Sequence, residues 1–208
     1  MCRKLRTEPP ALAGRRLGVH ENSVEGSGVL VPDCLVLTDG VVVLRPPREQ
    51  DAPAVADAVQ SSLDTLVEWM PWASAGYSAD SALQWIREAK AAGRHAFLIC
   101  DQHGTAMGTC GLQQADLLNR CIQLGYWLGQ SYSGRGYATR AARLAIDHAF
   151  GDLDFHRVEI LVSVHNQKSR RVAERLGARL EATLTERLQV RGAWHDALLY
   201  ACVAGDHD

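Results

Sequence analysis

The sequence predicts a mixed α/β domain, and three observations carry that prediction. Hydrophobic spacing is helical between positions 51 and 92, then strand-like between 95 and 128. A glycine-bearing turn, Ser131-Tyr132-Ser133-Gly134-Arg135-Gly136, joins a strand-like run to a helix-like one. The chain closes on two β-type runs separated by Arg191-Gly192, the signature of a hairpin. The predicted order is β-α-α-α-β-β-β-α-β-α-β-β, which is not a regular doubly wound sheet.

Order is expected from about Leu35. Residues 1–34 carry Pro9-Pro10 and scattered glycine and charge, and read as a flexible or loosely packed extension to a domain over 35–205. Val41-Val42-Val43-Leu44-Arg45, stopped by Pro46-Pro47, is the first strand. Asp51 to Ser62 is a helix that tolerates Pro53 in its first turn. Leu63 to Trp72 is a short aromatic segment with helical and loop character. Ser78 or Asp80 caps the next helix, which runs to about Ala92.

His95 to Asp101, Thr105 to Gln114 and Arg120 to Leu128 are strands, the first two joined by Gln102-His103-Gly104. Gly134 to Phe150 is a helix with alanines spaced for close packing. Arg157 to Val164 is a buried-type strand, and Asn166 to Leu176 a helix stopped by Gly177. Leu180 to Val190 and Trp194 to Val203 close the fold.

Composition excludes several classes. A hydrophobic share of 47% in 208 residues supports one real core. A formal charge of −2 gives no general pull toward nucleic acid or anionic membrane. No apolar run approaches the ~20 residues that span a bilayer. The basic start is followed by Glu8-Pro9-Pro10 rather than an apolar stretch, so no signal peptide is expected. Six cysteines without a C-x-x-C pair read as reduced small hydrophobes of a cytoplasmic protein. No histidine spacing suggests a metal.

The turn at 131–136 is suited to phosphate. Its glycines free the backbone, and a helix N-terminus follows with its positive dipole end. A P-loop string is absent, and Thr139 stands where a dinucleotide fingerprint needs its third glycine. A second signature, Asn166-Gln167-Lys168-Ser169, opens the next helix.

These two signatures, in this order, resemble the GNAT superfamily of acyl-coenzyme A-dependent N-acyltransferases. The family pattern Q/R-x-x-G-x-G/A stands here as Ser131-Tyr132-Ser133-Gly134-Arg135-Gly136, with Ser131 departing from it. Leu66-Val67-Glu68-Trp69-Met70-Pro71-Trp72, Leu124-Gly125-Tyr126-Trp127-Leu128 and Trp194-His195-Asp196-Ala197-Leu198-Leu199-Tyr200 are similar to the ribosomal-protein N-terminal acetyltransferase branch. The resemblance covers about Leu37 to Val203.

It implies a twisted, mostly antiparallel sheet of about seven strands flanked by helices, with a splayed strand pair that takes the cofactor. The co-substrate implied is acetyl-coenzyme A or another acyl-coenzyme A. By resemblance, Ser133, Gly134, Arg135, Gly136, Tyr137 and Ala138 hold the pyrophosphate, and Tyr126, Trp127 and Leu128 the pantetheine arm. Asn166 contacts that arm, and Ser169 is the proton donor to the sulfur. Asn166 and Ser169 also read as a plain N-cap and its partner one turn on. Glu186 is the first candidate base, with Glu68 and Asp196 behind it. Glu68, Trp69, Trp72 and Asp196 are expected at the acceptor. The acceptor is a protein N-terminus or a small amine. A succinyl-type donor, an antibiotic acceptor or a non-catalytic acyl-coenzyme A-binding role stays open, and resemblance favours a homodimer.

Overall fold

A computed structural model describes residues 34–206, so the extension read over positions 1–34 lies, but for Cys34, outside the described residues. The described chain forms one eight-stranded sheet. The strands are β1 (Leu37–Thr38), β2 (Val43–Arg45), β3 (His95–Cys100), β4 (Ala106–Asp116), β5 (Cys121–Leu128), β6 (Arg157–Ser163), β7 (Arg179–Val190) and β8 (Ala193–Val203). Their order across the sheet is β1-β2-β3-β4-β5-β6-β8-β7. Eight rather than seven strands are present because Leu37–Thr38 pairs with Val43 and Leu44, a two-residue bridge too short to leave a period in the sequence.

All pairings are antiparallel except β5 with β6. That parallel pair is brief: it ends at Gln123↔Glu159. Beyond that point Leu124–Leu128 and Ile160–Ser163 are not paired to each other, so the sheet opens into a V at its centre. Both strands keep their outer neighbours, β4 and β8, so the opening is held rigidly on each side.

Helices cover the two faces. On one face lies α4 (Tyr137–Gly151), whose Ala141, Ala142, Ala145 and Ala149 are fully buried. Alanine at each contact lets the helix axis sit close to the sheet, against Phe97, Ile99, Cys110 and Leu112. The short α5 (Gln167–Arg175) completes that face through Val172 and Ala173. On the other face α1 (Ala52–Gln60) and α3 (Ala79–Ala91) bury Val55, Val59, Ala82 and Ile86 against Leu98, Cys100 and Trp127. The segment expected to be helical over 63–72 forms one turn, α2 (Leu63–Leu66), and then continues as turns through Trp72.

One close approach fixes the end of β5. A bulge between β3 and β4 brings Gly108 opposite Leu128. A Cβ at Gly108 would lie 2.2 Å from the Trp127 carbonyl oxygen, so only glycine fits. The Gly129 amide then donates to the Met107 carbonyl at 2.8 Å. Ser62, buried at the end of α1, accepts from the Gln130 amide at 2.9 Å. The chain therefore leaves β5 along a fixed path into the glycine turn.

Candidate active site

Three depressions meet at the V. A long cleft of about 720 Å³ runs from Leu66 and Trp69 past Tyr126 to the start of α4 and the face of α5. A groove of about 340 Å³ lies between Trp69–Pro71, the sheet and Arg187–Val190. A trench of about 240 Å³ crosses β3, β4 and β5 under Trp72 and Trp85. Met70 and Tyr126 line all three.

The cleft's far end is built for an anion. Gly134 and Gly136 adopt φ of 78° and 81°. Nothing stands within 4 Å of a Cβ at either, so the glycines are needed for their left-handed backbone, not for clearance. Gly136 is the N-cap of α4 and offers no side chain to the helix. The first-turn amides of α4 are thereby left to a ligand, at the positive end of the dipole. Gly134, Gly136, Tyr137, Ala138 and Thr139 line the cleft there. Across from them Lys168, Arg171 and Arg175 project from one side of α5.

At the V, Tyr126 on β5 faces α5. Its phenol oxygen lies 2.9 Å from Ser169 Oγ and donates to the Ser169 carbonyl at 3.3 Å. Burial pushes the phenol up to about 12, against the pull of the Ser169 hydrogen bond. Tyr126 is therefore a protonated donor at neutral pH. Asn166 caps α5, its Oδ1 accepting from the Ser169 amide at 3.0 Å. The cap fixes the Ser169 backbone, and Asn166 Nδ2 is left as its group for a ligand. Asn166 and Ser169 line both cleft and groove.

The other sequence candidates separate. Trp127, Leu128, Ser133 and Glu68 line the cleft, Trp69 lines cleft and groove, and Trp72 lines the trench. Arg135, Glu186 and Asp196 line none of the three. Arg135 is exposed in the turn. Glu186 sits at φ 47° in the bulge between Leu184 and Leu188. Its amide donates to Asp196 Oδ1 at 2.8 Å, so Asp196 holds the bulge in shape.

Ser163, which lines the groove, has a partner that sequence reasoning did not single out. Ser163 is 4% exposed, and its Oγ lies 3.2 Å from His195 Nδ1. The His165 amide donates to the same Oγ at 3.4 Å, and the His165 and His195 rings meet edge to face at 5.2 Å. Sequence alternation on β6 and β8 gave no signal for this pair, because the contact crosses two strands and a loop.

A splayed parallel pair, a glycine-capped helix start and a cationic helix opposite it suit an extended, phosphate-bearing ligand. The family model for the acetyltransferase (GNAT) domain matches residues 42–179. The chain belongs to the GNAT acetyltransferases. This GNAT domain is 32% identical over 166 residues to YdaF of Bacillus subtilis (strain 168), named as a ribosomal N-acetyltransferase; the match spans 77% of this chain and 90% of YdaF. It is also 32% identical over 95 residues to the ribosomal-protein-serine acetyltransferase of Escherichia coli (strain K12), across 46% of this chain and 53% of that protein. Among solved structures it is similar to Mycobacterium smegmatis RimJ in complex with a coenzyme A disulfide. There the identity is 30% and the TM-score 0.73, over 82% of this chain and 86% of that one. The GNAT fold, with its opened central strand pair, is therefore the architecture here. Among the described residues no helix is long and apolar enough to cross a membrane.

Proposed function

We propose that this GNAT acetyltransferase moves an acetyl group from acetyl-coenzyme A to the α-amine of a protein or peptide N-terminus. The observation that carries this reading is the meeting of cleft and groove at Tyr126 and Ser169. The donor enters along the cleft and the acceptor along the groove. The amides of Tyr137 and Ala138 and the cations of α5 hold the phosphates. The backbone of Tyr126 to Leu128, left without a β6 partner, takes the arm.

The amine nitrogen bonds to the acyl carbon as the carbon–sulfur bond breaks. One proton leaves the amine and one is gained by sulfur. A phenol at about 12 is a poor acid toward a thiol near 8.5, because transfer would be uphill by about 5 kcal/mol. Tyr126 and Ser169 therefore hydrogen-bond the departing thiolate, which takes its proton from solvent. For the amine proton, Ser163 lines the groove while Glu186 does not. Ser163 Oγ takes the amine proton as it gives its own to His195 Nδ1, which is the base of the pair. An α-amine near 7.7–8.0 needs only so mild a base.

Acceptor chemistry favours a peptide over a polycation. Gln113, Gln114, Gln123 and Gln189 line the groove, and amides suit a peptide backbone. Glu68 is the single carboxylate lining cleft, groove or trench, too few for a polyamine or aminoglycoside. The names of YdaF and the E. coli relative support the same choice. We read the protein as cytoplasmic, supported by free cysteines at every described position. We read it as a homodimer, supported by exposed Leu180 and Trp194 on the terminal hairpin.

The test is thermal unfolding with coenzyme A, acetyl-coenzyme A and succinyl-coenzyme A, against ATP and NAD, followed by coenzyme A release with peptide and polyamine acceptors. A rise in Tm with the thioesters alone, and turnover with peptides, is expected. Turnover with polyamines in preference to peptides overturns the acceptor reading.

A further inference from the structure

The trench that crosses the sheet has an unusual floor. Ala96 on β3 pairs with Gly111 on β4, and Gly111 pairs with Gly125 on β5. This row therefore presents two backbones and one methyl group over three strands. The row on one side carries Thr109 and Trp127, and the row on the other carries Gln113 and Gln123. A slot one residue wide is left between two ridges. Its roof is aromatic: Trp72 lies 5.5 Å from Tyr77 and 5.8 Å from Trp127, both tilted, and Trp85 closes the inner wall. The slot ends at Gly125, where β5 has parted from β6.

We propose that this slot is a second acceptor subsite that takes an aromatic ring carried close to the acetylated amine. This rests on the acyltransferase reading above. A floor without side chains under a roof of ring faces fits a plate, and stacked or tilted ring pairs are favourable beyond their buried area. The volume of about 240 Å³ exceeds the roughly 150 Å³ of a cavity that holds benzene. A cationic occupant is disfavoured, because Arg94 is the charged side chain lining the slot and no carboxylate does. Gly125 needs no special backbone angle and has only Gln113 Nε2, at 3.6 Å, near a Cβ. The missing side chain is therefore not demanded by the fold, and it leaves room for something that is not part of this chain.

The experiment uses the full chain and three peptides differing only at their first two residues: Ser-Gly, Ser-Phe and Phe-Gly. Two readouts are taken, kcat/KM for acetylation and quenching of tryptophan fluorescence on peptide binding, since Trp72, Trp85 and Trp127 all line the slot. One of the two phenylalanine peptides is expected to exceed Ser-Gly by tenfold or more in kcat/KM and to quench at lower concentration. Gly125→Val, which puts two methyl groups on the floor, is expected to bring that ratio near one. Retained stabilisation of Gly125→Val by coenzyme A shows that its fold and donor site persist. Three peptides within twofold of each other, or a Gly125→Val variant that keeps the preference, overturn the proposal. Quenching without turnover would sink the acyltransferase reading and leave the slot standing.

Discussion

Tyr126 and Ser169 tie β5 to α5 where the central strand pair has opened. Their oxygens lie 2.9 Å apart, bridging the free end of β5 to the first turn of α5 across the V. Both side chains line the cleft at this point, so removing either is expected to weaken sulfur stabilisation. Tyr126→Phe and Ser169→Ala are each expected to lower kcat about 10–100-fold, the worth of one hydrogen bond to a charged atom. The Tm rise with coenzyme A should persist. Kinetics of coenzyme A release checks this, and unchanged kcat in both variants would exclude the pair from the chemistry.

The cations of α5 face the glycine turn, so they are expected to act on phosphate and not on the thioester. Arg171→Gln with Arg175→Gln should raise KM for acetyl-coenzyme A tenfold or more. KM for acetyl-pantetheine, which lacks the nucleotide, should barely move. Added salt should weaken coenzyme A binding to the parent chain more than to this double variant. An equal rise in both KM values would place these residues elsewhere in the mechanism.

If Ser163 and His195 carry the amine proton, turnover depends on the His195 ring. His165 meets that ring edge to face, Asp196 neighbours it on β8, and Leu188 pairs with it from β7. His195→Gln keeps a hydrogen-bonding side chain but cannot accept the proton. It is expected to lower kcat/KM at least tenfold while stabilisation by coenzyme A persists. Unchanged kcat/KM in His195→Gln, with a loss in Glu186→Gln, would return the role to the bulge.

His95 predicts a stability change. Burial, with the nearby His148 charge second, depresses its imidazole to about 4 from 6.5. The unfolded chain therefore binds more protons between these values, and the fold loses stability as pH falls from 6.5 toward 4. Its Nδ1 has no hydrogen-bond partner among the described residues. His95→Phe should flatten part of the fall in Tm over that window, measured by thermal unfolding at fixed ionic strength. A variant with the same slope as the parent would assign the effect to other groups.

Much of this was legible in the sequence. The strands and helices follow from period changes, and the glycine turn was visible because positive φ leaves a residue-type mark. What could not be read depended on facing. Lys168, Arg171 and Arg175 look like ordinary surface charge until the fully buried Ala173 is seen on the other side of α5. Glu186 was expected at the amine by resemblance alone, and the register shift between Leu184 and Leu188 puts it in a bulge that no sequence pattern announces. Ser163 and His195 are brought together by strand pairing that no local pattern encodes. The segment expected over 63–72 with helical and loop character forms one helical turn to Leu66 and then turns to Trp72.

The parity of β5 separates two kinds of evolutionary freedom. Tyr126 reaches the α5 side, where the donor arm is held, while Gly125 and Trp127 face the α1–α3 side. Neighbours on one strand thus answer to different molecules. Odd-numbered positions there can drift to admit a new acceptor, and the even-numbered one keeps the transfer chemistry intact. A lineage built on this strand can change clients without relearning its reaction.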